Sequence, residues 1–548
     1  MADIVILNGR AITFSGPDAE AVAITDGLIE AVGSNRDIQR IAGSAEVIDA
    51  NGATVLPGFI DSHVHLFGGS AALDYLNLSG VSGIADLTTI VRKYADSLPA
   101  EDIIFATAMD YCVTGERNTT RQLLDAVLPN RPFAAIASDL HTAWANTLAL
   151  EKAGMLRGYE TPEGSEVVMG ADGKATGELR ETGAFGPVIS LTKFKGRDLM
   201  GYTTGKDPFP SPTIAERSLD KTIIARGMQH CASHGITGLH NMDGNFYQAE
   251  LLSELEQEGS VLCRTEVPMH LKGDDPVDRL QEAQAMRAQF NSDYVWSNRV
   301  KMFMDGVIDS RTAYMLDPYP GTSHCSEPLF TPDQFNEACT IADRAGLQIA
   351  VHAIGDAAVR QTLDGYEAAQ QANGQRDSRH RIEHIETIHP DDIPRLASLG
   401  VVASMQPMHS PAGGFFPPYQ ADELIHRKQI HTAFAWKTLR QTGAPLVFST
   451  DWPVVPVDVM PTVKAAVARS GLPPEWPDQS QTLRDTLASY TRDNAWVEFN
   501  EHRKGKIQPG MMADIVVMNK DLEKLPPQDL DSARAAVTLC GGRITYRD

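Results

Sequence analysis

Short apolar runs separated by turn residues fill the first 58 positions: ADIVILNGRAITF, AEAVAITDGLIEAVG and AEVIDANGATVLPG, with Asp26-Gly27 and Asn51-Gly52 inside the last two. Asp-Gly and Asn-Gly accept positive φ at both central positions of a tight hairpin turn, so the pattern predicts a small antiparallel β unit. The other end of the chain has the same texture in GKIQPGMMADIVVMNKD and AAVTLCGGRITYRD. The two ends are expected to pair into one composite β-sandwich, residues 1–58 with 498–548, leaving residues 59–497 as an excursion from it.

Inside that excursion, strand-like runs alternate with amphipathic helical stretches, as in βα units on a parallel sheet. Eight candidate strands fall at 57–66, 237–242, 264–271, 299–305, 348–354, 381–385, 401–407 and 445–453. Eight such units predict an α/β fold closed into a (β/α)8, TIM-like barrel. Helix punctuation agrees: Thr331-Pro332 opens a helix that stops at Gly346, and Pro390 opens one that stops at Gly400. Between the first and second strands lie about 170 residues where a βα unit needs about 30. Residues 68–220 are therefore expected to form an inserted subdomain after the first barrel strand.

Composition narrows the partners. With 548 residues, 48 Lys plus Arg against 71 Asp plus Glu and a formal charge of −23, most of the surface would repel phosphate backbones and anionic lipid heads. A small-molecule substrate is expected, with no nucleic acid and no membrane partner; a homo-oligomer stays open. The start, MADIVILNGRAITF, lacks the basic-then-apolar order of a secretory signal, and no run approaches the ~20 apolar residues of a membrane span. Six cysteines without close spacing suit a reducing compartment, so a cytoplasmic location is expected.

Candidate chemistry lies at the carboxyl ends of the predicted strands. His63 and His65 share one face of the first strand by its period of two. Lys301, His352, His384 and Asp451 come at the same relative depth on the fourth, fifth, sixth and eighth strands. Imidazole and carboxylate groups converging on one rim are the donor set of a divalent metal site, and barrel active sites sit at that end.

The runs LPGFIDSHVHL, RVKMFMDGVIDSRTAYMLDPY, HAIGDAAV, RIEHIE, FSTDWPV and GKIQPGMMADIVVM resemble the amidohydrolase superfamily, specifically its amidohydrolase-3 branch. ASDLHTAWANTLAL and DGKATGELRE extend the resemblance into the insertion. The resemblance implies a hydrolase of carbon–nitrogen bonds other than peptide bonds, acting on an N-acyl or N-formyl amine, a carbamate or a cyclic amide through a metal-activated hydroxide. A metal-dependent esterase or lactonase, and a non-catalytic regulatory or structural member, are the alternatives. It carries His63, His65, Lys301, His352, His384 and Asp451 into metal roles. One or two ions are implied, zinc first, with manganese, cobalt or iron also suitable, and Lys301 is implied to bridge them as a CO2-derived carbamate. Asp451 would also move the proton, while His141 and His409 are candidates to hydrogen-bond the carbonyl or its oxyanion, or are structural. Trp144, Phe415, Phe416, Tyr419 and Trp452 are candidates for an apolar substrate wall. Asp305 and Arg311 are expected to form a buried ion pair; Glu181 and Cys112 are the alternatives to Lys301 as a bridging group.

Overall fold

The computed structural model describes residues 2–99, 102–115, 119–162, 164–416, 422–468, 472 and 475–548. Strands Ile4–Leu7, Ala21–Thr25, Leu28–Gly33 and Glu46–Asp49 form a four-stranded sheet, and Arg10–Ala11 and Thr54–Pro57 join Ile515–Met518, Ala535–Cys540 and Arg543–Arg547 in a five-stranded one. The second sheet thus combines both ends of the chain, with Val516 opposite Leu56. Ile6, Ile24, Val55, Ile515 and Leu539 are buried in one core between the two sheets. Asp26-Gly27 and Asn51-Gly52 all adopt the positive φ that their turns require. The unit is not wholly antiparallel as the turns suggest. Ile4–Leu7 runs parallel to Glu46–Asp49, because helix Asn35–Ala42, capped by Ser34, carries the chain across between them.

The central chain forms two sheets of parallel strands. One contains Phe59–Val64, Ile236–Asn241, Arg264–Glu266 and Val295–Trp296; the other contains Met269–His270, Arg299–Phe303, Gln348–Ala353, Arg381–His384, Val402–Met405 and Leu446–Phe448. The third predicted strand is broken at Val267-Pro268, since proline cannot donate to a ladder. Its first piece pairs with Val295–Trp296 and its second with Arg299–Phe303. A parallel bridge from Val64 to Trp452 sets the end of the last strand beside the first. There Asp61 accepts from the Thr450 backbone N–H at 3.0 Å and from its hydroxyl at 2.6 Å, and the Asp451 N–H donates to the His63 carbonyl at 2.9 Å. The helix Pro332–Arg344 opens on a capping box between Thr331 and Gln334, and Ile393–Leu399 ends at Gly400 with φ 68°.

Residues between the first two parallel strands build a six-stranded sheet from Leu76–Asn77 to Glu166–Met169. Its apolar core includes Met408, Val454 and Val455, from the loops after the last two parallel strands, so the insertion packs over that end of the sheet. It is tied down by helix Ile214–Ser233, which opens on a Thr213/Glu216 capping box and crosses helix Leu66–Ala72. The crossing is close because Gly227 lacks a side chain: a Cβ there would lie 1.8 Å from Ser70 Oγ. Gly227→Ala should therefore destabilise the fold by about 1–3 kcal/mol through overpacking, read as a lower midpoint in urea denaturation. An unchanged midpoint would show that the helices can move apart without cost.

Candidate metal centre

His63, His384 and Asp451 present donor atoms that all lie within 4.8 Å of one another. They line a cavity together with His65, His141, His352 and His409. About 50 Å³ of it is free, the room of a few water molecules. Asp451 is the hub: its Oδ1 lies 3.4 Å from His63 Nε2 and 3.3 Å from His65 Nε2, and its Oδ2 lies 3.7 Å from His409 Nε2. His63, His65, His352, His384 and Asp451 are placed by the ends of parallel strands. His384 (φ 77°), Ile385 (φ 48°) and Asp451 (φ 66°) adopt left-handed backbone there, which costs a non-glycine residue on the order of 1–3 kcal/mol. Side chains aimed into one cavity are what that strain accompanies.

Hydrogen bonds fix which ring nitrogen faces the cavity. Gln406 donates to Ser449 Oγ, so its Oε1 is the acceptor for His384 Nδ1 at 2.9 Å. His352 Nε2 donates to the Gly306 carbonyl at 3.0 Å. His63 Nδ1 donates to Glu383 Oε2 at 2.8 Å. In each ring the opposite nitrogen keeps its lone pair, as metal-binding histidines require. Burial first, and Lys301 next among the opposing charges, lower His63 to about 4 despite Asp451, so that ring is neutral at pH 7. Burial would raise Asp451, but His63 and its neighbours hold the carboxyl well below its ordinary value.

Glu383 belongs to a buried column that the sequence reading did not contain. Arg381 holds Glu383 with two nitrogens and donates from Nη1 to His240 Nδ1 at 3.0 Å. Arginine has no acceptor, so His240 carries its proton on Nε2 and donates it to Glu498 Oε2 at 2.9 Å. Lys504 Nζ closes the column at 2.7 Å from Glu498 Oε1. Arg381 and Glu383 sit two apart on one strand, hence on one face, which is the only trace of the pair in the sequence.

Lys301 is fully buried and its Nζ lacks a hydrogen-bond partner among the described residues. It lies 4.5 Å from the centre of the Phe303 ring, and Phe303 lines the cavity. Burial lowers Lys301 to about 8, with Glu383 and Asp451 opposing. His65 Nδ1, His409 Nε2 and Asp451 Oδ1 are also buried without a hydrogen bond among the described residues. The unsatisfied His65, His409 and Asp451 atoms all line one cavity and suit a divalent cation and its water better than they suit one another.

From the insertion, His141 reaches the same cavity, its Nδ1 2.8 Å from Glu181 Oε2. Burial disfavours its charge, but Glu181 outweighs it and raises His141 to about 9. Glu181 is thus a partner of His141, with its other oxygen accepting from Thr312 at 2.9 Å. Tyr202, also from the insertion, lies 5.3 Å from the His65 ring. Four expectations need correction. Trp144 is buried in the core of the insertion against Tyr111, and Trp452 fills the space over Gly69, so neither lines the cavity. Asp305 commits its carboxylate to the backbone N–H groups of Tyr314, Ile354 and Gly355, while Arg311 is exposed. Cys112 is exposed on the insertion. Of the apolar wall, Phe416 lines the cavity edge-on to His409 and Phe415 packs on Phe416. Tyr419 lies outside the described residues.

Two outcomes test the column. Glu383→Gln keeps the shape but leaves Arg381 buried without a counter-charge, and should cost about 3–5 kcal/mol in denaturant unfolding; a loss below 1 kcal/mol would mean that the column is not structural. Glu498 is pushed down to about 2: burial would raise it, but Lys504 and His240 outweigh burial. A depressed carboxyl contributes stability that is present above about pH 4.5 and is lost as pH falls towards 2. Glu498→Gln should flatten that acid limb of the stability curve, and an unaltered limb would contradict the assignment.

The described residues contain no helix long and apolar enough to cross a membrane. A family profile for the amidohydrolase family matches residues 46–546. Protein LONG AFTER FAR-RED 3 of Arabidopsis thaliana is 27% identical over 100% of this chain and 92% of its own length. The putative amidohydrolase YtcJ of Bacillus subtilis is 27% identical over 97% and 96%, and the N-substituted formamide deformylase of Arthrobacter pascens is 25% identical over 100% and 98%. Among solved structures, an uncharacterized metal-dependent hydrolase from Pyrococcus horikoshii superposes with a TM-score of 0.71 at 24% identity, covering 96% of this chain and 98% of its own. Such neighbours give the parallel sheets a TIM-barrel-type α/β fold. With the profile spanning almost the whole length, the chain belongs to the amidohydrolase family, in its amidohydrolase-3 branch.

Proposed function

We propose that the chain is a cytoplasmic, metal-dependent amidohydrolase that cleaves the C–N bond of an N-acyl or N-formyl amine, a carbamate or a cyclic amide. The two parallel sheets are read as one closed (β/α)8 barrel, residues 59–497, carrying the 68–220 insertion and a β-sandwich of both chain ends. The observation that carries the function is the cavity, where imidazoles whose outer nitrogens are already bonded surround a buried carboxylate.

His63, His65, His352, His384 and Asp451 would hold one or two divalent ions, with zinc the first choice. Bound metal would supply Lewis acidity, lowering the pKa of water from 15.7 towards about 7 and polarising a carbonyl. Lys301 suits a bridging role after its amine adds CO2, because burial that brings it to about 8 leaves neutral amine available near neutral pH. The carbamate would also remove an ammonium that is costly beside cations in a buried site. Asp451, at the centre of the cluster, would take the proton of the attacking water and pass it to the leaving nitrogen. His141, kept charged by Glu181, is a donor for the developing oxyanion, and His409 flanks Asp451 from the other side.

The cavity's described lining contains no lysine or arginine, while Leu140, Val307, Ile354, Phe416 and Val454 supply apolar surface. This favours acyl groups that are uncharged and apolar or aromatic, a class compatible with the N-substituted formamide named for one relative.

A screen of amides, formamides, carbamates, ureas and esters with protein of measured metal content tests the reading. Chelation should abolish turnover and zinc, manganese or cobalt should restore it, and Asp451→Asn should lower kcat by about 10²- to 10⁴-fold with the fold retained. Full turnover by metal-free protein would overturn it, and a strong preference for dianionic substrates would overturn the apolar wall. Lys301→Ala should lose metal and most activity, with partial recovery on adding short-chain carboxylic acids. Undiminished metal content and turnover in that variant would exclude the carbamate bridge.

A further inference from the structure

A second cavity, of about 570 Å³, opens at the amino-terminal ends of the parallel strands, the end opposite the metal centre. Its wall carries four cationic side chains, Arg264, Arg287, Arg503 and Lys504, against two carboxylates, Asp293 and Glu498. That excess is notable in a chain with a formal charge of −23. Both carboxylates are already engaged: Arg503 Nη2 lies 2.7 Å from Asp293 Oδ1, and Glu498 is shared by Lys504 and His240. Arg264 pairs with Asp514. Arg287 is therefore left without a carboxylate in the pocket, and Lys504 has one carboxylate contact for three donors.

The second observation is a hydroxyl. Ser297 is 2% exposed, lines this cavity, and its Oγ has no hydrogen-bond partner among the described residues. A buried hydroxyl left unsatisfied is costly unless something bonds to it. The same cavity is lined by the half-buried Arg287 and the buried Lys504, and a small oxyanion within it could accept charge-assisted bonds from both.

We propose that this pocket is a binding site for a small oxyanion, a carboxylate or a phosphate, held by Arg287, the Ser297 hydroxyl and Lys504. It uses none of the groups of the metal centre.

Calorimetric titration of the metal-loaded, full-length protein in chloride buffer tests the site, with inorganic phosphate in one arm and succinate in the other. Saturable binding of at least one probe is expected, and the tighter probe identifies the source of the anion. Arg287→Gln should weaken it tenfold or more and Ser297→Ala several-fold, both with unchanged melting temperature, whereas Asp451→Asn should leave it intact. No saturable binding of either probe would overturn the proposal, as would affinity unchanged in both pocket variants. Binding lost in Asp451→Asn but kept in Arg287→Gln would place the anion on the metal centre and equally overturn it, without touching the hydrolase reading.

Discussion

Charges of alternating sign run in file through the middle of the parallel strands: Lys504, Glu498, neutral His240, Arg381, Glu383 and then His63. Each of these ions alone would be expensive to bury, and each is acceptable only because its neighbours are of opposite sign and correctly oriented. The file also has a direction. Arg381 can only donate, which fixes the proton of His240 on the side of Glu498; Glu383 can only accept, which fixes the proton of His63 on the side away from the cavity. The lone pair that His63 turns towards the candidate metal centre is thus the last consequence of a set of pairings that begins at the far mouth of the strands. Removing one member would leave a neighbour buried and unpaired, so stability and site chemistry are held by the same groups.

Around that axis the site is assembled from both parts of the excursion. The parallel strands supply His63, His65, His352, His384 and Asp451; the insertion supplies His141, Glu181 and Tyr202 and shares an apolar core with Val454 and Val455 beside Asp451. The strand ends provide a rigid ring, and the docked insertion closes over it. The strained backbone at His384, Ile385 and Asp451 is tolerated because ladders on one side and buried side-chain partners on the other leave no alternative conformation.

Much of this was legible in the sequence because it depends on local signals. Asp-Gly and Asn-Gly turns marked the end strands, Thr-Pro and Gly bounded the helix Pro332–Arg344, and strand periodicity placed His63, His352 and His384 within a residue or two of where they lie. Partners distant in sequence were not legible. Glu383 reads as one acid in RIEHIE; strand alternation puts it on the face of Arg381, but nothing in the chain announces that it meets His63 from another strand. Trp144 and Trp452, candidates for an apolar wall, lie near His141 and Asp451 in the sequence, but adjacency in sequence does not say which side of a backbone a ring takes. The insertion hid its own sheet and the contribution of Tyr202, and Pro268 broke a strand that alternation alone drew as continuous.

The central claim is that this cavity holds metal among His63, His65, His352, His384, Asp451 and a carboxylated Lys301. Crystals grown with zinc and measured on both sides of its absorption edge test it most directly. The account predicts anomalous peaks bounded by those side chains, with electron density for a carbamate on the Lys301 amine. Peaks absent from the cavity, or ions bound elsewhere while Lys301 stays an unmodified amine, would contradict it.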